Sequence, residues 1–207
     1  MAEQYVSAFV VEEEHFRAMV GSRDEDLVRT AVAAVRPLRK AGKLLRATDA
    51  REVERALREI VSGLPTPSRA GGYGWLLELL APALGEPVGE VVLPGRGWHD
   101  LEKALCSWGL ASLAELWGRA WSFPLTDNPR QPDPWPFPVL APLKELDRIR
   151  DELTAFDTDR VYDDYGFLPG GDDVEEVVPL LDESFPAWVD ATIVHGRDLL
   201  LIRDGGR

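Results

Sequence analysis

Two segments of the chain are apolar on both sides of a period-two pattern. In 4–11, Tyr5, Ser7, Phe9 and Val11 alternate with Val6, Ala8 and Val10. Valine and aromatic enrichment makes this a strand buried on both faces, central in a small sheet. In 198–203, Leu199, Leu200, Leu201 and Ile202 form an uninterrupted apolar run, which reads as a second buried strand and the natural partner of the first. The chain then begins and ends in one sheet, and the segments between must supply the layers that cover it.

Most of those segments carry helical spacing. Glu12–Val20 sets Phe16, Met19 and Val20 on one side and stops at Gly21. With Ser22 or Asp24 as cap, Leu27, Val28, Ala31, Val32 and Val35 recur at helical intervals until Pro37. Thr48 or Asp49 can open a third helix, whose stripe is Val53, Ala56, Leu57, Ile60 and Val61 before Gly63. Ser62–Gly74 has the composition of a loop. Trp75–Leu84 is a helix apolar nearly all round, which marks it as central to the core. Val88–Leu93 is a short strand or an extended connector. Trp98–Trp108, with Leu101, Ala104 and Leu105 in register, is a helix ended by Gly109, and Leu113, Leu116 and Trp117 belong to a shorter one.

Trp121–Pro142, WSFPLTDNPRQPDPWPFPVLAP, interrupts this order with prolines set among large apolar side chains. Its Trp135-Pro-Phe-Pro-Val-Leu portion is too apolar to be an exposed proline-rich ligand. It is predicted to be an internal strap across one domain, with Trp135 and Phe137 buried and the prolines restricting the unfolded chain. Its functional counterpart is a rim for a partner or ligand groove. Beyond it, Leu143, Leu146, Ile149, Leu153 and Phe156 define a helix, with Arg148 and Glu152 at pairing distance. Asp157–Glu176 is an acidic loop, and Val177–Val194 reads as two short helices separated at Pro179 and Pro186. The whole is an α+β, mostly helical single domain, 1–207, with the strap at 121–142.

Composition sharpens this picture through charge. The formal net charge is −13, and from Trp121 onward 19 acidic residues face 8 Lys and Arg, against 17 and 15 before it. Within 36–58 the sign reverses, with Arg36, Arg39, Lys40, Lys43, Arg46, Arg51, Arg55 and Arg58 against Asp49, Glu52 and Glu54. The acidic excess disfavours nucleic acid and suits a protein partner with a basic surface. The basic stretch is expected on the solvent side of the third helix, as ordinary surface or as a docking site for the acidic half or another anion. Binding nucleic acid through it would be steeply salt-dependent. The single Cys106 forms no internal disulfide, the N-terminus lacks a signal-peptide pattern, and no apolar run reaches membrane-spanning length. A cytoplasmic protein, not membrane-bound, is expected.

The candidate chemistry is sparse. His15, His99 and His195 stand in different elements with no metal-binding spacing. Gly71, Gly72 and Gly74 lack the lysine and hydroxyl residue of a phosphate loop. Cys106 reads as a packed thiol. Asp157 and Asp159 start like a calcium loop, but Val161, Tyr162 and Leu168 occupy the positions of a ligand, the turn glycine and the closing glutamate. Glu12, Glu13 and Glu14 complement a helix dipole. No cofactor and no metal are expected. If a small-ligand or catalytic site exists, it is assembled in space from Tyr73, Trp75, His99, Trp135 and Phe137, where the glycine-rich loop and the strap meet.

The order of DEDLVRTAVAAV, GGYGWLLELLAPALG, PDPWPFPVLAPLKELDRI and the Trp188–Ile202 run ending GRDLLLI resembles that of an uncharacterised bacterial domain-of-unknown-function family. The resemblance covers most of the chain and implies no activity and no site residues. The functional expectation is a non-enzymatic binding protein, of the immunity-like or antitoxin-like inhibitor kind.

Overall fold

A computed structural model describes residues 3–40, 50–66, 70–94, 97–125, 136–163 and 174–205. The chain runs β1 (Glu3–Val11), α1 (Glu13–Met19), α2 (Glu25–Lys40), α3 (Ala50–Val61), α4 (Ala70–Leu84), β2 (Glu86–Pro94), α5 (Gly97–Ser107) and α6 (Ala111–Gly118). It continues with β3 (Phe137–Ala141), α7 (Leu143–Ala155), α8 (Asp159–Asp163), α9 (Val174–Pro179), a π turn (Leu180–Ser184), α10 (Phe185–His195) and β4 (Asp198–Gly205). The four strands form one antiparallel sheet in the order β2-β1-β4-β3. The fold is α+β, and the first and last strands are neighbours at the sheet's centre, as the apolar patterns predict.

Both faces of that central pair are covered, which is why both strands are apolar throughout. Val6, Ala8, Leu199, Leu201, Val139 and Ala141 join one core with α5–α10. Phe9, Val11, Leu200, Ile202 and Leu140 join the other with α1–α4, Trp121, Phe123 and Leu125. Two glycines admit close contacts. A Cβ on Gly89 of β2 would lie 2.1 Å from Trp188 Nε1 of α10, and one on Gly74 of α4 would lie 2.6 Å from the Pro136 carbonyl.

Several helix ends are satisfied from a distance. Neither Glu12 nor Pro142 caps its helix with its own side chain. Asp198, the first residue of β4, does it for both: one carboxylate oxygen accepts from the Glu13 amide at 3.1 Å and the other from the Leu143 amide at 3.0 Å. A single side chain thus ties a helix on each face to the central strand. Similarly, Glu152 of α7 accepts from the Ser112 amide and hydroxyl at 2.8 and 2.7 Å, capping α6. α2 is capped locally, with the Leu27 amide donating to Asp24 at 2.8 Å, one of the two caps predicted, and at the start of α8 the Asp159 amide donates to Asp157 at 3.1 Å.

Other expectations change. Val20 is exposed, because α1 ends at Met19 and Val20 turns away in an extended conformation. α2 passes through Pro37 to Lys40, so the missing N–H does not stop a helix that packs along α3. Gly71, Gly72 and Gly74 lie within α4, not in a loop, where Gly74 lets the Pro136 backbone approach. Cys106 is exposed, since it points off the Leu101, Ala104, Leu105 and Trp108 stripe. α8 and the start of α9 occupy part of the expected acidic loop. Pro179 and Pro186 do not split the helical run. A π turn lies between them, with the Phe185 N–H donating to the Leu180 carbonyl. Thr48 and Asp49 lie outside the described residues.

Substituting Asp198 by Ala removes two caps at once and is expected to cost about 1–4 kcal/mol in denaturant unfolding, at about 0.5–2 per cap. Asp198→Asn keeps one good acceptor and should recover no more than about half of that.

Candidate functional site

The residues named from sequence are only partly brought together. Tyr73 and Trp75 share α4, and Gly74 between them abuts Pro136, so the glycine-rich segment does meet the strap. Tyr73 is buried and its hydroxyl is engaged, donating to Glu59 at 2.7 Å and accepting from the Thr66 amide at 2.6 Å. It anchors the chain leaving α3. Trp75 is half-buried, and its buried indole N–H has no hydrogen-bond partner among the described residues. Phe137 is half-buried in β3, on the other face of the sheet from Tyr73. The Arg203 guanidinium lies 4.3 Å from the Phe137 ring centre and 4.9 Å from that of Trp117, and donates to the Trp117 carbonyl. The side chain of His99 and all of Trp135 lie outside the described residues.

The first half of the strap is part of the core. Trp121 and Phe123 stack with centroids 5.0 Å apart, and each meets the edge of Phe16, at 5.3 and 5.8 Å. Trp121, Phe123, Pro124 and Leu125, with Val20 and Pro65, border a cleft of about 350 Å³ with Arg17 at its mouth. The strap thus borders this cleft at Trp121 and Phe123.

A larger cleft of about 920 Å³ runs beside α3 and is lined by Arg23, Glu25, Arg51, Glu54, Arg58 and Leu64 among others. The exposed arginines 51, 55 and 58 lie on the solvent side of α3, as predicted from the spacing of its apolar stripe. Arg58 donates to Glu25 at 2.6 Å and Glu54 at 3.1 Å. These hydrogen bonds, Glu25 first, raise its pKa further above the ordinary arginine value. Arg23 adopts φ 58°, a left-handed conformation rare for a residue with a side chain, while its amide donates to the Val61 carbonyl at 2.8 Å. The basic segment is thus woven into an ion-paired surface where it can be seen.

The acidic half forms a different surface. α7–α10 all cover the same face of the sheet, and Asp151, Asp159, Asp163, Asp182, Glu183 and Asp190 are exposed there. None of these six carboxylates makes an ion pair among the described residues, whereas Glu145, Asp147 and Glu152 do. A cleft of about 560 Å³ opens on this side between Trp108, Leu110, Arg148, Asp151, Phe156 and Arg160. Among the described residues no group of three or more His, Cys, Asp or Glu could hold a metal ion, and no helix is long and apolar enough to cross a membrane.

The pattern of apolar strands, junction and terminal run coincides with one family along nearly its whole length. The chain belongs to the DUF7691 family. The family model, a domain of unknown function, matches residues 2–203. No curated protein and no solved structure matches the chain. For this DUF7691 member the site therefore rests on geometry alone. Sequence reasoning missed Asp198 and Arg203, and it paired Glu152 with Arg148, which the structure shows at 3.5 Å, without foreseeing that Glu152 also caps α6. An acid directly before an apolar strand is the only local sign of Asp198, and it does not name the helices that Asp198 caps.

Tyr73→Phe should leave the fold intact and lower stability by about 1–3 kcal/mol in urea unfolding, because the Thr66 amide and Glu59 lose their shared partner.

Proposed function

We propose that this protein works by binding a protein partner with a basic surface through the helical layer α7–α10. The segregation of unpaired carboxylates onto that one face carries the reading. Six exposed acids on these helices make no ion pair among the described residues, and an opposing set of Lys and Arg would supply partners for them. The opposite face has its cleft charges paired already, at Arg58 with Glu25 and Glu54. A cytoplasmic, non-enzymatic inhibitor of the immunity-like or antitoxin-like kind fits this behaviour, since such a protein acts by occupying a cationic surface.

The cleft of about 350 Å³ beside Trp121 and Phe123 favours a second reading. In it the strap borders a small-ligand site lined by the Trp121 and Phe123 rings and by Arg17, which is ion-paired with Glu13, and a small aromatic molecule is the class of ligand it would take.

Charge reversal separates the two. A triple variant Asp182→Lys, Glu183→Lys, Asp190→Lys should keep its circular dichroism and unfolding midpoint, being confined to exposed positions. Its affinity for a partner captured by the unaltered protein should fall about tenfold or more, mostly through the association rate, and raised salt should have the same effect. Unchanged capture by the triple variant would count against the proposal, and turnover of a small molecule with no captured partner would replace it with the second reading.

A further inference from the structure

The cleft of about 920 Å³ beside α3 is built on a fixed backbone. α3 ends in a left-handed glycine turn: the amide of Gly63, at φ 74°, donates to the Ile60 carbonyl at 2.9 Å and that of Leu64 to the Glu59 carbonyl at 3.0 Å. The turn between α1 and α2 is docked on the same helix end. There the Gly21 amide donates to Ile60 at 2.9 Å and the Arg23 amide to Val61 at 2.8 Å, so the last carbonyls of α3 are satisfied from two sides. Gly21 and Gly63 meet closely, since a Cβ on Gly63 would lie 3.3 Å from the Gly21 Cα. Arg23 and Leu64 are therefore held at set places on the wall of the cleft.

Neither side chain has a task in the fold. The turn requires a left-handed residue at position 23, and glycine or asparagine takes that conformation at less cost than arginine does. Yet the Arg23 side chain makes no ion pair and no hydrogen bond among the described residues. Leu64 holds the place after a helix that usually makes an apolar contact with the last turn, but Arg58 and Glu59 stand there, and it is 74% exposed. The other charges of the cleft are engaged. Arg58 donates to Glu25 and Glu54, Tyr73 donates to Glu59, and Arg51 and Arg55 have partners too. Over the whole lining, the guanidinium groups of Arg23, Arg51, Arg55 and Arg58 face these three carboxylates. The surplus cation, in a chain of net charge −13, is Arg23, a charged side chain carried on strained backbone beside an exposed leucine.

We propose that this cleft binds a small aliphatic carboxylate, with its charged end on the Arg23 guanidinium and its chain along Val61 and Leu64. The class follows from the lining. A planar guanidinium takes a carboxylate through paired N–H donors, whereas Glu25, Glu54 and Glu59 oppose a more highly charged anion such as a phosphate. The wall offers Val61, Leu64 and the stems of the arginines, with no aromatic ring among the lining residues. The site lies with α1–α3, away from the acidic helical layer, and does not depend on a basic partner.

The test titrates hexanoate, and hexanamide as its uncharged counterpart, into the isotope-labelled full chain and follows the backbone amides by NMR. Hexanoate is expected to shift the amides of Arg23 and of Val61–Leu64 saturably, and hexanamide to bind about tenfold more weakly. Arg23→Asn, which tolerates the left-handed turn, should lose the same factor, and Arg23→Lys should fall between the two. Arg23→Gly should bind no better than Arg23→Asn while its thermal unfolding midpoint stays level or rises, because the backbone strain is gone. Equal binding of the two probes overturns the proposal, as does unchanged affinity in Arg23→Asn. So does the absence of any saturable shift, or shifts confined to another place such as the cleft at Arg17. A lowered midpoint in both Arg23→Asn and Arg23→Gly also overturns it, since the arginine would then be serving the fold.

Discussion

The pairing of β1 with β4 is the constraint on which the other elements depend. Each strand presents apolar side chains to both sides, so neither can stand at a surface, and together they demand two helical layers. The layers are held in register with the sheet by Asp198, whose two carboxylate oxygens each take a helix amide, one on each face. Breaking that link would release α1 and α7 together. β1 and β4 are therefore the least expendable strands of the sheet.

Because the sheet is covered on both sides, chain order becomes spatial separation of charge. The helices before the strap pack mainly on one face and those after it on the other, with α5 and α6 joining the later group. Among the described residues, Asp151, Asp159, Asp163, Asp182, Glu183 and Asp190 of the second half thereby lie exposed on one layer. The basic stretch of the first half is neutralised where it is visible, as Arg58 shows with Glu25 and Glu54.

The strap has two jobs in this arrangement. Its first part plugs the α1–α4 core with Trp121 and Phe123 and borders a cleft, and its last part is β3 itself. The backbone at Trp121 then seals the outer edge of the strand into which the strap leads.

Much of this was legible in the residues. The central strands, the α+β class, and the stripes of α2, α3, α5 and α7 follow from periodicity, because burial selects apolar side chains at fixed intervals whatever the tertiary partner. The family resemblance agrees with the family found. The candidate site was less legible. Tyr73 turned out to hold Thr66 and Glu59, Phe137 lies against Arg203 on the opposite face, and Cys106, read as packed, is exposed. The strand-or-connector ambiguity of Val88–Leu93 was settled by β1, which gives that segment its ladder. By itself the sequence determined which segments must be buried and how much charge each half carries, since both are sums over side chains. The tertiary structure alone decided that Asp198 caps two helices and that the Trp121 amide meets the Pro138 carbonyl of β3. Those are relations between residues up to 185 positions apart, and no local pattern encodes a hydrogen bond whose donor and acceptor meet only after the chain has closed on itself.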